Sequence, residues 1–284
     1  MTSKHSKDFI FVQMTDVQFG MFAALSGADK QRIEAAALRR LIIRPSPKIT
    51  GFVKETELYT RAVSEVNRLR PKFVAMCGDM IQDSNDLAQL EELRRITDQL
   101  HKDIPIKWVA GNHDIGNRLT EESLRQYRDR FGADDYFFDL HGSRFIVLNS
   151  NIAFNPSEVP YEWQRQLDFL DSTLKEATQL GVTHIVLFTH HPLFVDDPDE
   201  EDSHIVVPKD RRKIMLDMLQ SANASAIFSG HWHRNNYAID GNIQMVTSSA
   251  VGCPLGNDPS GYRVVSVTRD SIKHKYIAID EAPI

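Results

Sequence analysis

Near its end the chain reads FSGHWHRN, residues 228–235, with His231 and His233 one residue apart behind Gly230 and an apolar run. Four other places share that design, a short apolar run that stops at a residue able to bind a cation. Asp16 ends the first, with Gln18 two residues on. Gly78 and Asp79 end the second, Gly111, Asn112, His113 and Asp114 the third, and His190, His191 and Pro192 the fourth. Carboxylate, carboxamide and imidazole are the donors that hold hard and borderline divalent ions. Each place alone has a plainer reading: Asp16 or Asp79 as a helix cap or turn residue, Gly-Asn-His-Asp as a tight turn, His190 as a satisfied core histidine. Turn chemistry has no reason to choose metal-binding types at all five places. Nor does it explain a glycine just before three of them, where the missing Cβ lets backbone come close.

The runs that carry these residues read as strands. Residues 9–16, 72–79, 106–113, 143–150, 184–191, 225–231, 243–251, 262–268 and 272–279 are short, rich in Val, Ile and Phe, and bounded by Gly, Asp or Asn. Helical periods lie between them. Over 54–69, Leu58, Ala62, Val66 and Leu69 share one face; over 161–177, Trp163, Leu167, Leu170 and Leu174 do the same. Shorter helices fit 86–101, 120–131 and 209–221. Strands that alternate with helices early and cluster late predict an α/β sandwich of mixed sheets rather than a barrel. In such sheets the carboxyl ends of the strands open on one crevice, so the strand ends would deliver their polar residues to a single rim. Residues 20–53 break the rhythm, and Pro45 and Pro47 end any helix there. That excursion reads as a surface insertion or as a cover over the site. The acidic run DDPDEEDSH, 196–204, reads as a solvated loop.

With 284 residues, 42% hydrophobic and 25% charged, the chain has enough apolar material to fold as one domain over 1–284. No apolar run approaches the ~20 residues of a membrane span, and the first residues do not read as a secretory signal. A formal net charge of −6 argues against a general nucleic-acid binder. It leaves a phosphorylated substrate open, because bound cations add positive charge that the count omits. Two cysteines, Cys77 and Cys253, make no disulfide framework and point to a cytoplasmic location.

Taken in order, Asp-x-Gln, Gly-Asp, Gly-Asn-His-Asp, His-x-Pro and Gly-His-x-His resemble the calcineurin-like metallophosphoesterase superfamily. DVQFG, GNHDIGN, DDYF, VLNS, FNPS, FSGHWHRN and SSAVGCPLGNDPSGYRVV look like its subfamily of calcineurin-like phosphoesterase domain-containing protein 1, the complete serine/threonine-protein phosphatases. The likeness runs from about residue 9 to about 281 and is weakest across 21–53. It implies a four-layer α/β/β/α sandwich of two mixed β-sheets flanked by helices, with two metal ions at its rim. Asp16 and His233 would bind one ion, Asn112, His190 and His231 the other, and Asp79 would bridge both. The ions, divalent or of mixed valence, would be manganese, iron, zinc or magnesium. Two such cations about 3.5–4 Å apart clamp an in-line displacement at phosphorus and make hydroxide available near neutral pH.

The same likeness implies that Asn112 and His113 touch the substrate, and that His113 protonates the leaving alkoxide or orients the phosphate. Many relatives orient this histidine with an acid three residues after the bridging Asp, where Gln82 stands, followed by Asp83; Asp114 is the other neighbour that could set its tautomer. A purple acid phosphatase would need a tyrosine at position 82. Arg234 is a candidate phosphate clamp or a plain surface arginine. Most of the superfamily has histidine where Gln18 stands. A neutral amide there leaves an oxygen-rich set that holds zinc less well, so one tight and one exchangeable ion are expected. His191 is expected to turn its ring away, and His141, His184 and His204 to lie at the surface. Trp232 and Phe19 could wall the site or simply pack. The function implied is hydrolysis of phosphomonoesters, with phosphoserine and phosphothreonine in proteins as substrates. A phosphodiesterase or nucleotidase acting on small phosphate esters, and a non-catalytic metal-binding scaffold, are the alternatives.

Overall fold

The computed structural model describes residues 7–116 and 118–279. Strand β1 (Phe9–Met14) is followed by two short helices, α1 (Met21–Leu25) and α2 (Lys30–Leu38), and by the long α3 (Val53–Leu69). Next come β2 (Val74–Met76), α4 (Leu87–Thr97), β3 (Ile106–Trp108), the single turn α5 (Asn112–Ile115) and α6 (Glu121–Phe131). The second half holds β4 (Tyr136–Leu140), β5 (Ser143–Val147), α7 (Ser150–Phe154), α8 (Pro160–Leu180), β6 (His184–Phe188), α9 (Lys209–Ser221) and β7 (Ala226–Ser229). It closes with β8 (Asn236–Asp240), β9 (Ile243–Thr247), β10 (Gly261–Val267) and β11 (Ile272–Ala278).

These strands form two mixed sheets, ordered β11-β10-β1-β2-β3 and β4-β5-β6-β7-β9-β8. In the first, β1, β2 and β3 run parallel, and β10 pairs antiparallel with both β1 and β11. In the second, β5, β6, β7 and β9 run parallel, with β4 and β8 antiparallel at the edges. The sheets meet through aromatic rings. Phe11 of β1 stacks on Phe73 at 4.8 Å and meets Phe145, Phe188 and Phe228 of the other sheet edge-on at 5.7, 5.6 and 5.5 Å. Each such pair adds about 0.5–1.5 kcal/mol beyond the area it buries. Alternation along β1 puts Phe9, Phe11 and Gln13 on this inner face and Val12 and Met14 outward, against α3 and α4. A separate core joins α8 and α9 to the outer face of the second sheet. The layers are therefore helix, sheet, sheet, helix. Nearer the strand ends the aromatic contact gives way to a polar tie: Gln13 donates to Ser229 O at 2.8 Å and accepts from Ser248 Oγ at 2.6 Å.

Several sequence expectations need correction. The third strand stops at Trp108, so Asn112 and His113 sit on α5 rather than on a strand. β4 and β8, absent from the sequence reading, are edge strands whose side chains alternate between half-buried and exposed. The buried face of α8 includes Leu170 and Leu174 as expected, with Trp163 packed against two cores, but it extends to Glu162 and Gln166. Arg128 and Arg165 neutralise Glu162, and Gln166 donates to Asn149 O and Asp135. The face of α3 likewise buries Tyr59 and Val63 with Ala62 and Val66, while Leu69 is exposed. Helix α4 begins one residue later than expected because Asp86 caps it, accepting from Ala88 N and Gln89 N. Among the described residues no helix is long and apolar enough to cross a membrane.

The glycines at the strand ends let the chain approach itself. A Cβ on Gly230 would lie 1.7 Å from Thr15 Oγ1, and one on Gly111 would lie 2.1 Å from the backbone nitrogen of Asp79. Gly230→Ala is expected to destabilise the fold by at least about 1–3 kcal/mol, the cost of overpacking a filled site. Urea denaturation in the presence of a chelator measures this without any contribution from bound ions. An unchanged midpoint would mean that Thr15 yields without cost.

Candidate metal centre

The parallel strands bring the polar residues to one rim. Asp16 and Gln18 follow β1, Asp79 follows β2, His190 follows β6, and His231 and His233 follow β7. The turns are sharp. Asp16, Gln18, Asp79, His231 and His233, five of the seven candidate ligands, have φ between 47° and 68°. A left-handed backbone costs a non-glycine residue about 1–2 kcal/mol, and such strain concentrates at functional sites. Main-chain bonds hold the turns together: Asp16 N to Gly78 O at 2.9 Å, Gln18 N to Asp79 O at 3.0 Å, Gly230 N to His190 O at 3.0 Å, and Gly252 N to Asp16 O at 3.0 Å.

Backbone carbonyls choose the tautomer of each histidine. His190 Nδ1 donates to Cys77 O at 2.8 Å, His231 Nε2 to His204 O at 2.9 Å, and His233 Nδ1 to Cys253 O at 2.6 Å. Outer bonds of this kind orient metal-binding imidazoles. The opposite nitrogens are then lone-pair donors, and they crowd together. His190 Nε2 lies 3.2 Å from Asp79 Oδ2, 3.2 Å from Asn112 Oδ1 and 3.1 Å from His231 Nδ1. Asp79, His190 and His231 each present one donor atom within 4.8 Å of the others. Four electron-rich atoms at this spacing repel unless a positive charge sits among them. A proton is one answer: although burial opposes it, the Asp79 charge raises His190 to a pKa of about 9. A cation serves all four, including His231, which burial and His190 push down to about 4.

Asp16 and His233 make the second group. His233 Nε2 is 3.1 Å from Asp16 Oδ1, a buried oxygen with no hydrogen-bond partner. Asp16 Oδ2 instead accepts from Thr15 Oγ1 at 2.6 Å and from His231 N at 3.0 Å. Asp79 divides its oxygens in the same way, Oδ1 accepting from His113 N at 2.8 Å. Burial works against ionisation of Asp79, yet the surrounding imidazoles, His190 first, hold its carboxyl well below the usual range. Gln18 donates through Nε2 to Gln82 Oε1 at 3.1 Å, leaving its own Oε1 buried and without a partner. These unpartnered oxygens and facing lone pairs fit two cations: one for Asn112, His190 and His231, one for Asp16, His233 and Gln18, with Asp79 between.

His113 is oriented differently from either expectation. Its Nδ1 faces Gln82 O at 2.8 Å, so a backbone carbonyl stands in for the acid found in many relatives. Asp83 caps its own turn through Asn85 N. Asp114 does not orient His113. It accepts from Asp79 N, Met80 N and Gly111 N at 2.8, 2.9 and 2.9 Å and ties the second and third strand ends together. Burial, reinforced by the Asp79 charge, raises the Asp114 carboxyl to about 7.

A cavity of about 610 Å³ opens above these groups, lined by Gln18, Asp79, Asn112, His113, His231 and His233 at its floor. The excursion 20–53 supplies much of one wall through Met21, Leu25, Leu41 and Ile43. It is held in place by Ile42 N to Leu255 O at 2.9 Å, by the Arg40–Asp196 ion pair at 3.3 Å, and by Arg40 over the Trp232 ring. The acidic run is otherwise largely exposed. Arg234 is not a cavity residue. It donates to Leu255 O from Nε and Nη2 at 3.1 and 3.0 Å and to Arg40 O, so it secures the excursion instead of reaching for phosphate. His191 does not turn away: its ring centroid is 4.2 Å from that of His231 and 4.5 Å from Phe154, and its Nδ1 faces Ser150 Oγ at 3.0 Å. His184 is buried against Ser225 and Thr268, His141 is half-buried beside Phe9, and His204 lines the cavity. Trp232 walls the cavity, whereas Phe19 packs in the core. Sequence reasoning missed the carbonyls of Cys77, His204 and Cys253 because any residue type supplies a carbonyl; only the SSAVGCPLG stretch, which holds Cys253, carried a signal.

A family model for calcineurin-like phosphoesterases matches residues 12–235. The chain is 36% identical over 279 residues to the mouse protein named serine/threonine-protein phosphatase CPPED1, covering 96% of this chain and 85% of that protein. The zebrafish protein of the same name is 33% identical over 291 residues, covering 97% and 86%. Among solved structures, a dimetal phosphatase from zebrafish superposes with a TM-score of 0.69 at 17% identity, covering 95% of this chain and 96% of that one, a likeness of fold. Calcineurin-like phosphoesterases use a dinuclear metal centre, which the donor atoms at this rim suit. On the family match and the near full-length likeness, the chain belongs to the calcineurin-like phosphoesterase family.

Proposed function

We propose that the protein hydrolyses phosphomonoesters of serine and threonine in proteins. The observation that carries this reading is the crowding of donor atoms around His190 Nε2, 3.1–3.2 Å from His231, Asp79 and Asn112, which only positive charge relieves. The relatives that share the fold over nearly the whole chain are named as phosphatases of that class. When bound, two divalent ions would supply an activated water and neutralise charge on phosphate oxygens. Asp79, Asn112, His190 and His231 would hold one ion, and Asp16, His233 and the Gln18 oxygen the other, with Asp79 within reach of both. Asn112 keeps its second role, contact with the phosphate. His113 keeps Nδ1 on the Gln82 carbonyl, which leaves Nε2 as the atom that can pass a proton to the leaving oxygen. We place the protein in the cytoplasm, consistent with two free cysteines, Cys77 buried and Cys253 pushed up to about 12 by burial and the Glu55 charge.

One observation favours a second reading. The cavity of about 610 Å³ has walls of mixed polar and apolar residues and falls within the size range of small-molecule sites. A small phosphate ester would fit it. Turnover of a nitrophenyl phosphate monoester against its bis-ester, both with manganese, separates a monoesterase from a diesterase; faster bis-ester turnover would overturn the monoesterase proposal.

Asp79→Asn is expected to lower kcat/KM by more than ~100-fold, since disturbing even an outer partner of a metal ligand costs about 10–100-fold. Retained turnover would remove Asp79 from the centre. The metals are proposed to be unequal. Gln18 gives its ion a neutral oxygen where imidazole would bind more firmly, so that ion exchanges and accepts manganese, magnesium or iron. Elemental analysis after dialysis should find one retained ion per chain. Gln18→His should raise zinc retention towards two, and two tightly held ions in the unaltered protein would contradict this account.

A further inference from the structure

The wall that the excursion builds has a charge pattern that the phosphoesterase chemistry does not use. Helix α2 carries Arg32, and Arg39 caps its carboxyl end; both line the cavity. They are seven residues apart, two helical turns, so they leave the same face, with the buried Ala36 between them. Lys30 and Glu34 pair with one another instead. The spacing sets their Cα atoms about 10 Å apart along the helix axis. Other arginines around the mouth are committed: Arg40 to Asp196, Arg118 to Glu158 at 2.9 Å, and Arg234 to Leu255 O. Among the described residues neither Arg32 nor Arg39 has an ion-pair partner. In a chain of net charge −6, two unpaired arginines on one helix face at the mouth of a phosphate-binding cavity are a local reversal of sign. Beside them His204 lines the same cavity, and its Nε2 is buried with no hydrogen-bond partner. The phosphate itself belongs to the cation floor, so these donors are available to a different group on the same substrate. The apolar residues Leu25, Leu41 and Ile43 keep that region poor in competing donors.

We propose that Arg32 and Arg39 form a second anion-binding element of the substrate site, so that a preferred phosphoprotein substrate carries another negative group close to the phosphorylated residue. The group is a carboxylate or a second phosphate; guanidinium recognises both by the same paired hydrogen bonds. The proposal rests on the phosphoprotein reading above and adds to it a preference among substrates.

The test uses the full chain loaded with manganese and three phosphoserine peptides that differ at the flanking positions: glutamine, glutamate, or a second phosphoserine. A nitrophenyl monoester, which has no second anion, is the reference for each enzyme. The unaltered protein should favour the glutamate or doubly phosphorylated peptide over the glutamine peptide by about tenfold in kcat/KM, mostly through KM, and the preference should shrink at high salt. The glutamate and phosphoserine arms show which anion is the better partner. In R32Q/R39Q the ratio of acidic to neutral peptide should fall to about one. R32E/R39E should invert it towards a peptide with lysine at the flanking positions. A ratio near one in the unaltered protein, or one that survives in R32Q/R39Q, overturns the proposal. If the monoester is hydrolysed and no peptide is, the phosphoprotein reading fails, and this inference with it.

Discussion

The structure is organised around an electrostatic conflict. Two buried carboxylates, the buried imidazoles of His190 and His233 and the half-buried one of His231 are brought within contact distance, with lone pairs facing inward. A folded chain tolerates that arrangement only if cations or protons occupy the space between. Backbone carbonyls decide which of the two answers is complete. Because Cys77 O, His204 O and Cys253 O hold the outer N–H groups, all three rings present unprotonated nitrogens to the same region. Protons on His190 and His233 can settle Asp79 and Asp16, but they leave Gln18 Oε1 without a partner. Divalent ions would place positive charge where these atoms face one another.

Holding the conflict in place requires a rigid frame. The aromatic cluster between the sheets fixes their separation, and Gln13 ties β1 to Ser229 and Ser248 where the aromatic contact ends. Left-handed turns at five candidate ligands direct side chains inward over very short loops. Glycines at 111 and 230 remove the Cβ atoms that would keep neighbouring loops apart. Asp114 joins the second and third strand ends through several backbone N–H groups. Strain at the turns and burial of charge both oppose folding, so the large apolar cores on either side of the sheets must outweigh them.

Gln18 and the excursion distinguish this member from a bare family core. Gln18 and Gln82 form an amide pair that runs from the metal site to the region of His113, and the orientation of one amide constrains the other. The excursion turns an open rim into a walled cavity, held there by Arg234, Arg40 and Leu255. Arg234 therefore influences the site through the position of a wall. The same wall brings Arg32 and Arg39 to the mouth, which connects selectivity to the segment where the family likeness is weakest.

Sequence alone determined an α/β sandwich of mixed sheets and a set of polar residue types after its strands, because both are written in local patterns; the four layers and the individual ligands were what the family likeness implied. Apolar runs ending in Gly-Asp, Gly-Asn-His or Gly-His-x-His state which donor types follow a strand, although β3 stops at Trp108, before its motif. Edge strands β4 and β8 were less legible, since a half-exposed strand lacks a continuous apolar run. The buried face of α8 was read too narrowly because Glu162 and Gln166 enter the interior only with Arg128, Asn149 and Asp135, partners remote in sequence. Only the tertiary structure decided the histidine tautomers, the turning of Asp114 towards the backbone, the loss of Arg234 from the substrate site and the position of residues 20–53. Each depends on contacts between residues distant in the chain, most of them with main-chain atoms, and a main-chain atom carries no mark in the sequence.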